Sequence, residues 1–503
     1  MNILLILFVG AAALELLVHI FGRAQIVRRA LAIVSLVASS FIAGASVMAQ
    51  FNLLSVLILL LSLYRAFNMV RVVEGRMHEA YLRRATRRTS FILMLMQIVV
   101  FGAWWTWGTY SASGFAVWTI IGSLQAVIAL LLVTSTLRSL RRTTWPLSSE
   151  HYSDKELPTV TVAIPARNET EDLQQCLQTV IASDYPKLEI IVLDDCSQLR
   201  RTPEIIKEFA HAGVRFVQGH EPRETWLPKN EAYDRLAGEA TGQYILFCGV
   251  DVRFAPHSVR DAITVMLSRK KKMLSVLPQR QQSAIGHFSL VQAMRYWWEL
   301  VPPRRFFNRP PVISSCWVIE SSALQNAGGF AAVARSIVPE AHFARQLIVN
   351  DEYSFLRSSD ALGVESNKHV ADQHNTAVRM RYPQMHRRPE QTALITLLEL
   401  FFLVLPFVLT IVGFLMAIGT AAHMLAVIAS LLLIAAYELT VLTTRVNTWW
   451  FGLVAQPFAV LVDIGLLHYS MWKYEFSTVD WKGRNVCVPV MHVVPHLPSV
   501  KKR

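Results

Sequence analysis

Asp251 ends the segment ATGQYILFCGVDVRFAP (240–256), in which Tyr244-Ile245-Leu246-Phe247-Cys248 carries no charge and follows the turn residues Thr241-Gly242. A buried strand whose carboxyl end presents an acid is where open α/β sheets keep their ligands. Two other apolar runs end in the same manner. TVTVAIPARNE (159–169) leads into Asn168-Glu169, and LEIIVLDDCS (188–197) leads into Asp194-Asp195. A single acid at a strand end is ordinarily a solvated turn residue. Three such ends, each after an uninterrupted apolar strand, point to one shared crevice. Carboxylates there accept N–H hydrogen bonds and suit hard divalent ions. Asp251 therefore marks a metal site, a modified one, or only a strand end. No GxGxxG follows the first strand and no GxxxxGK[ST] occurs in the chain, so dinucleotide and P-loop readings lose their main support.

Alternating elements must position these residues. Between the first two strands, TEDLQQCLQTVIAS has helical spacing at Leu173, Leu177 and Val180, with acids in its first turn. TPEIIKEFAHAG reads as a helix with a threonine cap and a glycine stop, and VRFVQG as a third strand. The helical run EAYDRLAGEATG follows Lys229 and leads into the strand that ends at Asp251. This β-α-β-α-β order predicts a parallel sheet with helices on both faces and a ligand at the strand carboxyl ends. No internal repeat or low-complexity segment interrupts it.

The rest of the chain is of another kind. Over 503 residues, 53% are hydrophobic and 17% charged, and the mean hydropathy is +0.35. That is too apolar for a soluble globular protein and too mixed for membrane throughout. Five apolar stretches precede residue 137, at 2–21, 29–48, 51–67, 90–108 and 114–136, and three more lie at 394–418, 423–443 and 448–471. The chain thus divides into an N-terminal transmembrane block (1–137), a soluble domain (150–390), a C-terminal transmembrane or interfacial block (391–472) and a basic tail (473–503). The first stretch contains Glu15, lacks a basic start and runs into Arg23, Arg28 and Arg29, so it reads as a retained span rather than a cleaved signal. Alternate loops are basic while MAQFN and GTYSASG carry no charge, which predicts an external N-terminus and a cytoplasmic soluble domain. Pro457, Asp463 and His468 make 448–471 the weakest span. It is expected to re-enter or to lie in the interface, leaving two C-terminal crossings and Lys501 to Arg503 on the cytoplasmic side.

The net charge of +13 is mostly juxtamembrane and speaks of anionic lipid rather than nucleic acid. RKKK (269–272) reads as a solvated helix face. The five cysteines have no metal spacing and read as reduced core thiols. His369 and His374, near Asp372, have no tight ligand spacing either. MRYWWELVPPRRFF (294–307) and WKYEFSTVDWKGR (472–484) interleave aromatic and basic residues, as a headgroup-level belt does.

VAIPARNE, IIVLDDCS, ATGQYILFCGVDV, NAGGF and QMHRR, in this order within a domain flanked by spans, resemble the membrane-integrated family 2 inverting glycosyltransferases of GT-A fold. Ceramide glucosyltransferases and cellulose and hyaluronan synthases are of that kind. The resemblance covers about 158–390. It implies that Asp194 and Asp195 read the nucleotide base, most often uracil, that Asn168 and Glu169 lie beside the ribose, and that Lys229 lies near the diphosphate. Asp251 would be the second acid of DxD and a ligand for Mg²⁺ or Mn²⁺; Gly249 replaces the first acid, which implies a modified and weaker metal site. The family's catalytic base would be Glu340, after GGF at the start of a helix, with Asp351 in VNDEYSFLR as the competing match. QMHRR (384–388) matches QxxRW, so Gln384 and Arg387 would clamp the diphosphate, while Arg388 stands where the family has tryptophan.

The implied activity is transfer of a sugar from a nucleotide sugar, UDP-linked by preference, to a membrane lipid hydroxyl at the cytoplasmic face of the plasma membrane. A processive polysaccharide synthase is an alternative, weakened by Arg388 and by the shortage of polar residues in most spans. A catalytically inactive scaffold is another, suggested by Gly249.

Overall fold

The computed structural model describes parts of 7–18, then 25–48, 53–73, 115–146, 152–280, 290–301, 310–416, 418–444 and 449–487. Three apolar helices come first: α1 (Gln25–Met48), α2 (Leu53–Val73) and α3 (Phe115–Arg142). The expected span at 90–108, most of 2–21 and the tail beyond 487 lie outside the described residues. Helices α1 and α2 pair antiparallel: Ile42 meets Ile58 at one end of the pair, and Ala32 meets Met69 at the other. Phe8 and Val18 join those two contacts in turn.

The middle of the chain is an α/β domain of GT-A fold. Its elements run β1 (Val160–Ala166), α4 (Glu171–Ile181), β2 (Leu188–Asp194), α5 (Arg201–Glu208), β3 (Val214–Gln218), α6 (Pro228–Glu239), β4 (Tyr244–Cys248), β5 (Val252–Phe254), α7 (Ser258–Ser268), β6 (Met273–Leu277), β7 (Gln279–Arg280), α8 (Leu290–Leu300), β8 (Cys316–Glu320), α9 (Ser321–Asn326), α10 (Glu340–Leu347), β9 (Tyr353–Arg357), β10 (Val364–Ser366) and α11 (Val370–Gln384). The main sheet has the order β3-β2-β1-β4-β8-β6-β9. It is mixed rather than wholly parallel, because β8 pairs antiparallel with both β4 and β6. A smaller sheet, β5-β10-β7, flanks it.

Alternation along each strand divides the core between two faces. Val162, Ile164, Val192 and Leu246 pack with Leu173, Leu177 and Val180 of α4 on one face. Ala163, Ile191, Leu193 and Phe247 pack with Tyr233 and Leu236 of α6 and Phe343 of α10 on the other. At the centre of that second face Phe247 stacks on Trp317 with centroids 4.5 Å apart, and Phe330 closes the group edge-on to Phe247 at 5.5 Å. Gly328 and Gly329 both have positive φ, +86° and +58°. A backbone turn that only glycine enters freely therefore delivers the phenylalanine of GGF to this cluster.

After the domain come α12 (Pro389–Glu399), a single π turn, α13 (Leu405–Leu415), α14 (Thr420–Thr444) and α15 (Trp449–Phe476), then a small hairpin of β11 (Asp480–Trp481) and β12 (Arg484–Asn485). Among the described residues five helices are long and apolar enough to cross a membrane: Arg29–Met48, Val117–Arg142, Pro389–Leu415, Thr420–Thr444 and Gly452–Phe476. Pro389–Leu415 counts as one, since the π turn does not break it. The last has the lowest mean hydropathy, 1.4 against 2.1 or more for the others, and it passes through Pro457 without a break.

Helices α3 and α14 run side by side and meet the sheet together. Arg357, at the carboxyl end of β9, donates to the carbonyls of Leu140 (3.0 Å) and Thr443 (3.3 Å) and to the Thr143 hydroxyl (3.0 Å). The strand carboxyl ends therefore face the ends of apolar helices. Helix α15 starts five residues beyond Thr444 and lies along the domain. The Ser470 hydroxyl bonds the Val378 carbonyl and accepts from the Tyr382 amide, Tyr474 Oη donates to the Arg379 carbonyl at 2.8 Å, and Asp463 pairs with Arg381. The carboxyl-terminal half of α15 is thus packed on the α/β domain.

Candidate active site

The loops at the carboxyl ends of β1, β2 and β4 converge as expected, but the residues in them divide the work. Asp194 Oδ1 accepts the Ser197 amide at 3.2 Å and so caps its own loop. A Cβ on Gly219 would lie 2.3 Å from the Asp194 carbonyl oxygen, so glycine is required where β3 closes against the acid pair. Asn168 Oδ1 accepts the amides of Gln198 (2.8 Å) and Leu199 (3.2 Å), lacing the first loop to the second. Arg167 Nη1 donates to the carbonyls of Asp195 and Cys196 and stiffens the same junction.

Asp195 and Glu169 meet partners that the motif reading left out. Arg484 Nη1 sits 2.7 Å from Asp195 Oδ2 and Nη2 sits 3.1 Å from Glu221. Lys482 pairs with Glu169, and its carbonyl accepts Arg167 Nε at 2.9 Å. The hairpin after α15 therefore covers the acids expected to read the nucleotide. Burial raises the Asp195 carboxyl above its ordinary value, with Arg484 and Arg167 offsetting part of that. The sequence signal for this contact was the basic WKGR stretch.

Glu340 and Lys229 are brought together from 111 positions apart. Asn230 Nδ2 donates to the carbonyls of Val333, Ala334 and Ser336 and ties the start of α6 to the segment after GGF. That places Lys229 Nζ 2.7 Å from Glu340 Oε1. Glu340 is fully buried, and its Oε2 has no partner among the described residues. Burial lowers the Lys229 pKa, and Glu340 pulls it back up. Lys229, and not Glu340, lines the crevice, together with Arg379, Trp481 and Val486.

Asp351 lies elsewhere. It precedes β9, at the amino-terminal edge of the sheet, is 93% exposed and pairs with Lys271 at 2.9 Å. Lys272 pairs with Glu352, so RKKK forms surface ion pairs on that edge. Of the two candidate bases, only Glu340 is paired with a residue that lines the crevice.

The QxxRW-like segment also departs from expectation. Arg387 Nη2 donates to the Tyr474 carbonyl at 3.2 Å and lies 3.9 Å from Glu475, so its guanidinium is directed into α15. Gln384 Oε1 accepts from Arg381 at 3.4 Å. The Arg388 carbonyl accepts the Thr392 amide at the start of α12. Arg379, on the same helix α11, is the residue that reaches the crevice, over the Trp481 ring at 5.3 Å. Burial lowers its pKa to about 10, and the like charge of Arg295 pushes the same way. Lys368 is held down to about 8, first by burial and then by Arg295 and Arg379, against the pull of Asp251.

Asp251 Oδ2 accepts from the Ser366 hydroxyl at 3.2 Å, and the Asp251 carbonyl accepts the Asn367 amide at 2.8 Å. A Cβ on Gly249 would lie 2.5 Å from Asp251 Oδ1, so the one retained carboxylate leans into the space of the missing first acid. No group of three His, Cys, Asp or Glu able to hold a metal ion occurs among the described residues. This donor set fits an ion that shares its coordination with a bound diphosphate, since Mg²⁺ keeps several non-protein oxygens. It does not fit a preformed protein cage.

The model of glycosyl transferase family 2 matches residues 161–328, a third of the chain that spans β1 to α9. The glycosyltransferase AglE of Haloferax volcanii is 34% identical over 86 residues, 16% of this chain and 28% of AglE. A Bacillus subtilis protein described as the probable glycosyltransferase YdaM is 48% identical over 58 residues, 11% of this chain and 14% of its own. The chain thus spans under a third of the length of these curated relatives. Among solved structures, the mannosyltransferase PcManGT from Pyrobaculum calidifontis, in complex with GDP-Man and Mn²⁺, aligns over 69% of this chain and 98% of its own at 16% identity and a TM-score of 0.42.

Proposed function

We propose that the protein transfers a hexosyl group, with inversion, from a UDP-sugar to a lipid hydroxyl at the cytoplasmic face of the plasma membrane. The observation that carries this reading is the docking of the sheet's carboxyl edge, through Arg357, onto the ends of α3 and α14. An acceptor headgroup at membrane level then lies beside the edge that carries Asp195, Asp251 and Lys229. In this reading α15 lies in the interface, so that the hairpin after it stays on the catalytic side.

Asp195 would accept the base N–H once Arg484 yields it, and Lys229 would hold the diphosphate. Asp251 would hold Mg²⁺ or Mn²⁺ together with diphosphate oxygens, which supplies charge screening for the leaving group. Glu340 would take the proton of the acceptor hydroxyl as that oxygen attacks C1 from the side opposite the diphosphate. In the structure Lys229 covers Glu340, so a diphosphate that draws the ammonium away also uncovers the base.

The test is a donor screen by thermal unfolding of the purified protein, with and without Mn²⁺. A ligand held only by the folded state adds about 2.7 kcal/mol at a hundred times its Kd, so the true donor should stand apart. Stabilisation by one UDP-sugar supports the reading, and no response to any nucleotide sugar would refute it.

A further inference from the structure

Arg387 is directed into α15, which leaves the diphosphate without the clamp that the motif implied. Other cations converge on the crevice instead. Lys229 and Arg379 line it together. Lys368 follows Asn367, whose amide bonds the Asp251 carbonyl, so it stands beside the retained acid. Arg295 lies on α8, which packs against α11, the helix that carries Arg379; its charge adds to those of Lys229, Lys368 and Arg379.

Arg295, Lys368 and Arg379 are half-buried. None of the three side chains has an ion pair or hydrogen bond among the described residues; Arg379 has only the face of Trp481. Half-buried cations ordinarily find counter-ions, because gathering like charge away from water is costly. The carboxylates that act on these cations include Asp251, Glu340, which Lys229 already engages, and Asp372, exposed on α11. Four cations against these leave the crevice net positive, with three guanidinium or ammonium groups unspent. That is a site for a compact polyanion.

We propose that Arg295, Lys368 and Arg379 join Lys229 in holding the donor's diphosphate, and that they hold it without a divalent ion. The proposal rests on the nucleotide-sugar reading above and adds to it. The cations make up for the acid lost at Gly249, and an ion at Asp251 strengthens a diphosphate already bound. Arg379 fills the place of the turned-away Arg387.

The test uses the full-length protein in detergent and measures binding of labelled inorganic pyrophosphate and of UDP in excess chelator. Both are expected to bind, more weakly as salt rises. Arg379→Ala and Lys368→Ala should each lower the affinity about ten- to a hundredfold, the range for hydrogen bonds to a charged group. Arg379→Lys should keep part of it, and unaltered thermal unfolding of these variants would exclude a loss of fold. If pyrophosphate and UDP bind only with Mn²⁺, or if the alanine variants bind as the parent does, the cradle is overturned while the nucleotide-sugar reading stands. If neither ligand binds with or without Mn²⁺, both fall.

Discussion

Removing the Lys229 ammonium should destabilise the domain far more than removing an ordinary surface lysine. Glu340 is 0% exposed and Lys229 21% exposed across their 2.7 Å contact, and Glu340 Oε2 has no partner among the described residues. Lys229→Met keeps the side-chain length and leaves a carboxylate buried without its counter-charge. Breaking a buried pair from one side costs about 3–5 kcal/mol. The partial exposure of Lys229 lets water answer some of this, so about 3 kcal/mol is expected. For a domain of this size that lowers Tm by roughly 6–12 °C. The double variant Lys229→Met, Glu340→Gln removes the orphaned charge and should recover most of the loss, although neither form would transfer sugar. Thermal unfolding in detergent, read by intrinsic fluorescence, separates these outcomes. A Lys229→Met protein that melts within about 2 °C of the parent would mean that Glu340 does not depend on Lys229, and the reasoning would fail.

Four further outcomes follow from the same geometry. Glu340→Gln should cut transfer by roughly 10²–10⁴ with UDP binding little changed, whereas Asp351→Asn, which loses only an exposed pair with Lys271, should stay within about twofold of the parent in a turnover assay. Asp251→Asn should abolish the Mn²⁺ stimulation of transfer, measured by titrating the ion into chelator-treated membranes. Gly249→Asp requires Asp251 Oδ1 to move from 2.5 Å of the new Cβ; once it has moved, Mn²⁺ should bind more tightly in the presence of UDP, as calorimetry would record. Asp480→Cys, at an exposed position of the hairpin, should react with an impermeant maleimide only after cells are permeabilised.

Much of the fold could be read from the chain because both faces of the sheet are covered. Strands such as Leu188–Asp194 then become unbroken apolar runs with a polar end, and all four strands that were read lie where expected. The antiparallel β8 was missed because CWVIE is apolar in either direction and only its partners reveal its sense. In the site, the acids at strand ends converged, since topology alone brings those ends together. Residue roles were less legible. Asp194 and Asp195 look alike in sequence, yet one caps its loop and the other faces Arg484. Arg387 matched a motif, but the packing of α11 on α15 turned it away and gave the crevice to Arg379. Helix α15 reads as the weakest span because of Pro457, Asp463 and His468. The fold adds what the chain could not show, the partners of its polar groups: Asp463 meets Arg381 and Trp298, and His468 meets Tyr64.

The most direct measurement follows the sugar. Membranes containing the protein would be incubated with a panel of radiolabelled UDP- and GDP-sugars, and the products divided between organic-extractable lipid and high-mass polymer. Label from a UDP-sugar is expected to enter the lipid fraction, and Glu340→Gln membranes are expected to lose it while Asp351→Asn membranes keep it. Label found only in polymer would contradict the lipid acceptor, and lipid labelling that survives in Glu340→Gln membranes would contradict the site itself.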